Sequence, residues 1–402
     1  MTTARFSIAP WQRIYACFFL FAFALGALLS RIPNLQTQLG ISEGQLGLTL
    51  IGMAVGSLIS LTFAAPLVDH LGSRRTTMIT VLGTATIYAI IPWLPSAPAV
   101  FAALFLAGLL AGALEINLNV ETDRLEAQFD KHFMNRAHGS WSLGFFITAL
   151  LGAGFRQAEI SITTHLAIVV GIVLLVSIWI ISGITNAPKR ADSHQGATPL
   201  IAFPHWGLLP LCLIGIAAFL VEGSGIDWSA IYMRDAFAVR PEPFIGGLGL
   251  TLFSGFMAAA RLTADGVVER FGPRRTAMSL LTLAAMGALM VSLAPEPWVA
   301  LIGFALLGIG CSAVYPIAVS AAAQRSDRPS AVNVAALGQV TFVVFFLAPP
   351  LLGFVAEHTG IRNSYLVVLP VILMGLIACR ALGNRKVALP TGLPPEPMTP
   401  LG

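Results

Sequence analysis

An all-α membrane protein is the fold class this sequence predicts, with twelve transmembrane helices in two pseudo-symmetric six-helix bundles. Three observations predict it. The composition cannot clothe a water-facing surface. Long charge-free runs recur down the chain. One charged loop motif occurs twice, half a chain apart.

Of the 402 residues, 56% are hydrophobic and 10% charged, against about 25% charged in soluble domains. Mean hydropathy is +0.82. Cys17, Cys212, Cys311 and Cys379 all fall in apolar stretches without metal-like spacing. They read as packing residues, so neither a disulfide nor a metal is expected. The formal net charge is +4, but its distribution carries more information than its sum. The apolar run behind Arg5 and Arg13 lacks a small-x-small exit and reads as an uncleaved first span.

Runs free of Asp, Glu, Lys and Arg cover 14–30, 46–68, 76–114, 137–155, 160–188, 193–221, 243–260, 276–295, 297–324, 329–356 and 363–379. A crossing helix needs about 20 residues. The run 76–114 is too long for one, and Pro92, Pro95 and Pro98 divide it, which gives twelve spans. Backbone groups in lipid must be satisfied internally, and strand-like alternation is absent, so the spans are helices.

Lys and Arg set the orientation. With the N-terminus inside, seventeen of them fall in inner segments and five (Arg31, Arg156, Arg234, Arg240, Arg362) in outer ones, with Arg261 inside a span. This positive-inside bias predicts that both termini are cytoplasmic. The expected organisation is a bundle over 1–187, a central cytoplasmic linker over 188–205, a second bundle over 206–383, and a disordered proline-rich tail over 384–402.

The first copy of the loop reads Asp69-His70-Leu71-Gly72-Ser73-Arg74-Arg75-Thr76, and the second Glu269-Arg270-Phe271-Gly272-Pro273-Arg274-Arg275-Thr276, 200 residues later. Each follows the second span of its half. Gly108 and Ala113 align with Gly308 and Ala313 at the same offset. Two similar halves with a solute site between them are a recurring transporter plan.

Acid-x-x-Gly-x-Arg-Arg between spans two and three resembles the signature loop of the major facilitator superfamily, with Ala65 at its leading glycine and His70 at its first basic residue. The second copy has Asp265 at the leading position. The resemblance covers the whole chain and implies the major facilitator fold. Physically, an acid at a helix end can pair across the interface between halves and hold one face shut. The gate set is therefore Asp69, Arg74, Arg75, Arg261, Asp265, Glu269, Arg270 and Arg274. Within it, Arg261, Asp265 and Glu269 form an i, i+4, i+8 ladder. The alternative is that these charges only fix topology.

An ionisable residue in a span costs at least about 2.5 kcal/mol and is a functional candidate by default. Glu115 is the clearest, in Leu114-Glu115-Ile116-Asn117-Leu118-Asn119. It can carry a proton, or it can be an interfacial or ion-paired residue. Asn135, His138 and Ser142 share a face of span five with Trp141 beside them. His138 is either a proton-exchanging group or a helix-end cap. Span seven holds Glu222-Gly223-Ser224-Gly225-Ile226-Asp227-Trp228, where two glycines beside two acids predict local unwinding. Asp227 and Trp228 either line the site or anchor the outer interface. Arg31 is the expected partner of Glu222 or Asp227 in an outer gate.

Leu-Glu-x-x-x-Asn in span four, with the entry to span five at 135–144, is similar to the fucose–proton symporter branch of that superfamily. The resemblance implies that Glu115 and Asn119 take part in proton and sugar handling. That branch has an acid in span one, and here none lies between Arg13 and Glu43. Ser30-Arg31-Ile32-Pro33 and Asp227-Trp228-Ser229-Ala230-x-Tyr232 resemble a bacterial group of inner-membrane transporters, which implies the inner membrane of a bacterium.

The resulting expectation is a secondary transporter, working as a monomer, that moves a small sugar-, polyol- or amino-sugar-like solute with protons. Glu115, His138 and Glu222 are the proton-coupling candidates. Asn117, Asn119, Asn135, Trp141, Ser142, Asp227 and Trp228 are the solute-binding candidates. The alternative is a proton-driven exporter of drugs or amphiphiles. Catalytic motifs and a phosphate-binding loop are absent, so no enzyme, cofactor or ATP drive is expected, and no nucleic-acid partner.

Overall fold

A computed structural model describes residues 8–129, 133–188, 203–237, 242–328 and 330–383. Most of the expected linker and the whole proline-rich tail lie outside these residues.

The described residues form fifteen α-helices. They are α1 (Pro10–Leu29), α2 (Ile32–Leu39), α3 (Glu43–Phe63), α4 (Ala65–Leu71), α5 (Ser73–Ile90), α6 (Ala97–Phe129), α7 (Met134–Gln157), α8 (Ile162–Ser182), α9 (Leu209–Asp235), α10 (Pro243–Phe271), α11 (Pro273–Leu293), α12 (Pro297–Cys311), α13 (Val314–Ala323), α14 (Ser330–Thr359) and α15 (Ile361–Ala378). Eleven helical segments, with α12 and α13 counted as one, are long and apolar enough to cross a membrane. The 24-residue α7 is the twelfth, its first turns made polar by Asn135, Arg136 and His138. The chain is a multi-pass membrane protein of twelve spans. Leu175, Trp179, Leu293 and Ile377 are each more than 60% exposed, as a lipid-facing surface requires.

Local chemistry sets the helix ends. Ser42 caps α3, accepting from Gln45 N at 3.2 Å, and Ser161 caps α8, accepting from Thr164 N at 3.1 Å. Pro10, Pro210, Pro243, Pro273 and Pro297 sit in first turns, where a missing N–H costs nothing. Span seven begins and ends later than its charge-free run, at Leu209 and Asp235. It therefore carries Glu222 and Asp227 inside the helix.

The two loop copies have the same backbone. Gly72 (φ 77°, ψ 161°) and Gly272 (φ 83°, ψ 158°) each end one helix and start the next. Positive φ is the reason for glycine there. The repeat extends to packing. A Cβ on Gly108 would run into the carbonyl of Met53, and one on Gly308 into the carbonyl of Phe253. Gly308 stands 200 residues after Gly108 and Phe253 stands 200 after Met53, so α6 meets α3 as α12 meets α10.

The halves meet where α7 packs on α10 and α3 on α14. The end with the Gly72 and Gly272 turns also bears the start of α1 at Pro10 and the end of α15 at Ala378. At the opposite, far end, hydrogen bonds join the halves. Arg234 donates to Pro33 O (2.8 Å) and Gln36 Oε1 (2.6 Å). Arg156 donates to Pro243 O (2.9 Å), and Phe244 N donates to Gln157 Oε1 (3.0 Å). Ser42 Oγ and Gly44 N donate to Glu357 (both 3.0 Å). The far end is shut.

Gly108→Ala should lower the melting temperature in detergent, by an amount corresponding to about 1–3 kcal/mol of overpacking. Gly154→Ala, whose Cβ would meet nothing within 4 Å, should be close to neutral. Equal melting of the two variants in scanning fluorimetry would refute the backbone-contact account.

Candidate functional site

The central feature is an ion pair in the middle of the second half. Arg261 on α10 donates to Glu222 Oε2 on α9 at 3.1 Å, with side chains 26% and 11% exposed. Its Nε donates to Ser312 O at 3.0 Å. Ser312 sits at the break between α12 and α13, and Pro316 explains why its carbonyl is free. In a continuous helix residue 316 would donate to that carbonyl, and proline has no N–H. Arg261 supplies the missing donor.

The unwound stretch is therefore in span ten. The expected unwinding beside Glu222 does not occur, because α9 is continuous. Gly225 serves packing: a Cβ there would strike the Phe253 ring. Arg261 likewise leaves the expected ladder with Asp265 and Glu269, turning to Glu222 as the nearest charge compensation at depth.

Across the seam lies Glu115, in the middle of α6. It makes no hydrogen bond among the described residues, and it is within electrostatic reach of Glu222 and Tyr315 of the other half. One turn on, Asn119 Oδ1 accepts from His138 Nε2 at 3.1 Å. The His138 ring lies 5.1 Å from Phe18 and is within electrostatic reach of Arg261. Tyr315 stacks on Phe219 at 4.4 Å, with Phe342 5.2 Å from Phe219. Glu115, Asn119 and His138 thus face Glu222, Arg261 and Tyr315. Tyr315 was missed from sequence, yet it stands 200 residues after Glu115, at the repeat offset. Positions related by a pseudo-two-fold axis between two halves can meet at that axis.

Other expected solute contacts are displaced. Asn117 is 3% exposed and donates to Thr77 Oγ1 at 2.8 Å, tying α6 to α5. Ser142 is wholly buried, its hydroxyl donating to His138 O at 3.2 Å. Trp228 is wholly buried, its ring against Gly353. None of the three can meet a solute in this conformation. Trp141 is half-buried and stacks on Phe145 at 5.4 Å. Asp227 is half-buried, with no hydrogen bond or ion pair among the described residues, near Tyr365. The side chain of Asn135 lies outside what is described.

The gate expectations divide. Asp69 pairs with Arg124 of its own half at 3.1 Å. Arg74, Arg75, Asp265, Glu269 and Arg270 are exposed and Arg274 is half-buried at the end with the Gly72 and Gly272 turns. Arg31 pairs with neither Glu222 nor Asp227. It is 1% exposed and donates to His165 Nδ1 and Ile160 O, each at 2.9 Å. Glu222 is already taken by Arg261, and His165 of α8 with the Ile160 carbonyl just before that helix offers Arg31 acceptors within its own half.

Comparison with known proteins agrees with this architecture. The model of the Major Facilitator Superfamily matches residues 14–240 and 211–400. An uncharacterized transporter, y4wD, of Sinorhizobium fredii is 29% identical over 367 residues, which is 90% of this chain and 95% of that protein. The nucleoside transporter NupG superposes with a TM-score of 0.67 at 12% identity, covering 93% of this chain and 98% of its own. A variant of the E. coli fucose:proton symporter FucP gives 0.62 at 19%, covering 92% and 98%. The two structures are alike in fold.

Removing one member of the Arg261–Glu222 pair should be costly, because the other charge stays at depth. Arg261→Gln should destabilise by about 3 kcal/mol, and Glu222→Gln added to it should restore part of that loss. Purely additive melting shifts in the double-mutant cycle would show that the two side chains are not coupled.

Proposed function

The chain belongs to the Major Facilitator Superfamily, and on that premise we propose that it carries a small polar solute across the membrane by alternating access, coupled to protons. The halves 1–187 and 206–383 rock about the seam. Both termini face the cytoplasm of a bacterium, and the described conformation is closed to the outside. The substrate class is sugar-, polyol- or amino-sugar-like.

The observation that carries this reading is Glu115, without a hydrogen bond or ion pair among the described residues, beside the Glu222–Arg261 pair of the other half. Two acids stand on either side of a seam that must open and close, and the one arginine beside them is bonded to Glu222. A proton on Glu115 relieves its repulsion with Glu222. Loss of that proton makes Glu115 a competitor for Arg261, so protonation biases how the halves meet. Asn119 and His138 supply donors and acceptors for hydroxyl groups, and Tyr315 offers a ring face beside a hydroxyl. Each acts only while solute is bound between the halves.

The aromatic cluster of Phe219, Tyr315 and Phe342 favours a second reading, proton-driven export of an amphiphilic compound. Solute competition separates the two.

In proteoliposomes with a pH gradient, one of a panel of sugars, polyols and amino sugars should accumulate. Glu115→Gln should reduce accumulation to simple equilibration while keeping exchange of labelled for unlabelled solute. Accumulation that persists without the gradient, and in Glu115→Gln, would overturn proton coupling. Inhibition and transport only by hydrophobic cations would instead select export.

A further inference from the structure

The far end contains a cavity of about 360 Å³ lined from both halves. Three guanidinium groups face it: Arg31 and Arg156 from the first half, and Arg234 from the second. They lie close enough to repel in sequence, Arg31 with Arg156 and Arg156 with Arg234. Among the described residues only Arg234 has an acid, Asp235, at 2.5 Å, and its other donors go to Pro33 O, Thr37 Oγ1 and Gln36 Oε1. Glu159, the acid in the lining, is exposed and makes no ion pair among the described residues.

Arg31 is a buried cation without a carboxylate partner. Its acceptors are a carbonyl and the His165 ring, and accepting at Nδ1 keeps that ring neutral. Arg156 donates one NH2 bond to Pro243 O, and its NH1 is buried without any acceptor. A desolvated charge lacking a counterion is strongly disfavoured. Arg31, buried, and Arg156, half-buried with one buried nitrogen unfilled, line one cavity and describe an incomplete site. What is missing is negative charge with acceptor atoms matched to a planar fork.

We propose that this cavity binds a small oxyanion, a carboxylate or phosphate taken from the solution at the far end, held by Arg31 and Arg156 of one half beside Arg234 of the other, whose own donors are engaged and which adds positive field. The bound anion bridges the halves and adds to the bonds that keep the far end shut. The cavity lies between the halves, which assigns it to a water-borne anion in preference to a lipid headgroup. This site is separate from the central seam and does not depend on proton coupling there.

The test is thermal melting of the purified full chain in nanodiscs of zwitterionic lipid. Inorganic phosphate or succinate is compared with chloride at matched ionic strength. Both oxyanions should raise the melting temperature by roughly 2 °C or more at saturation. The rise should disappear in Arg156→Gln and in Arg234→Gln. If those variants do not fold, Arg156→Lys, which keeps the charge and loses the fork, should weaken phosphate binding by about tenfold in titration calorimetry. Equal melting in phosphate, succinate and chloride would overturn the proposal. So would an undiminished rise in folded Gln variants, undiminished binding by Arg156→Lys, or a response to anionic lipid with none to phosphate.

Discussion

One constraint runs through the molecule: a carbonyl left free where a helix breaks or ends at depth must find a donor. Bilayer cores hold no water to supply one, and a buried unpaired carbonyl costs a kcal/mol or more. Here arginine supplies it repeatedly. Arg13 reaches Ile180 O, Arg31 reaches Ile160 O, and Arg261 reaches Ser312 O. Arg362 donates to Ala236 O and to Ala294 O. A long side chain with five donors can cross from one helix to the frayed end of another. These bonds fix helix ends against neighbouring helices, so they also fix where the charges stand.

The central site follows from one such case. Pro316 removes a donor, Ser312 keeps a free carbonyl, and Arg261 fills it. A guanidinium at that depth needs an anion, and Glu222 provides it. Glu115, approaching from the other half, then finds the cation already engaged. The site is built from a local backbone defect outward, and its charge imbalance falls on the moving seam between the halves. A transporter needs its titratable group there, because only a group that meets different partners in the two states can bias them.

Much of the fold was legible. Charge-free runs located the spans, and the offset of 200 predicted two halves down to the glycine turns. Side-chain facing was not legible, for a physical reason. These helices are apolar nearly all round, so periodicity gives no inner face. Asn117 and Ser142 therefore looked equivalent to Asn119 and His138, although two turn inside their own half and two reach the seam. Arginines were read by sign, as topology markers and gate charges, when hydrogen-bond capacity decided their places. Two glycines beside Glu222 looked like a breaking point, but α9 runs on through both, and at Gly225 α10 comes close. Tyr315 could have been found by carrying the repeat through from Glu115.

The same reasoning bears on how easily the far end opens. Its joining bonds, from Arg234, Arg156, Phe244 N, Ser42 and Gly44 N, end largely on carbonyls and amides at a water-reached rim. Such bonds are worth about 1 kcal/mol each when water can replace the partner. A handful of them makes a closure of a few kcal/mol, within the range that a solute or one proton at the seam can offset. Buried ion pairs in the same positions would be far costlier to separate. A gate of arginine-to-carbonyl bonds is therefore strong enough to define a closed state and weak enough to be reversed in every transport cycle.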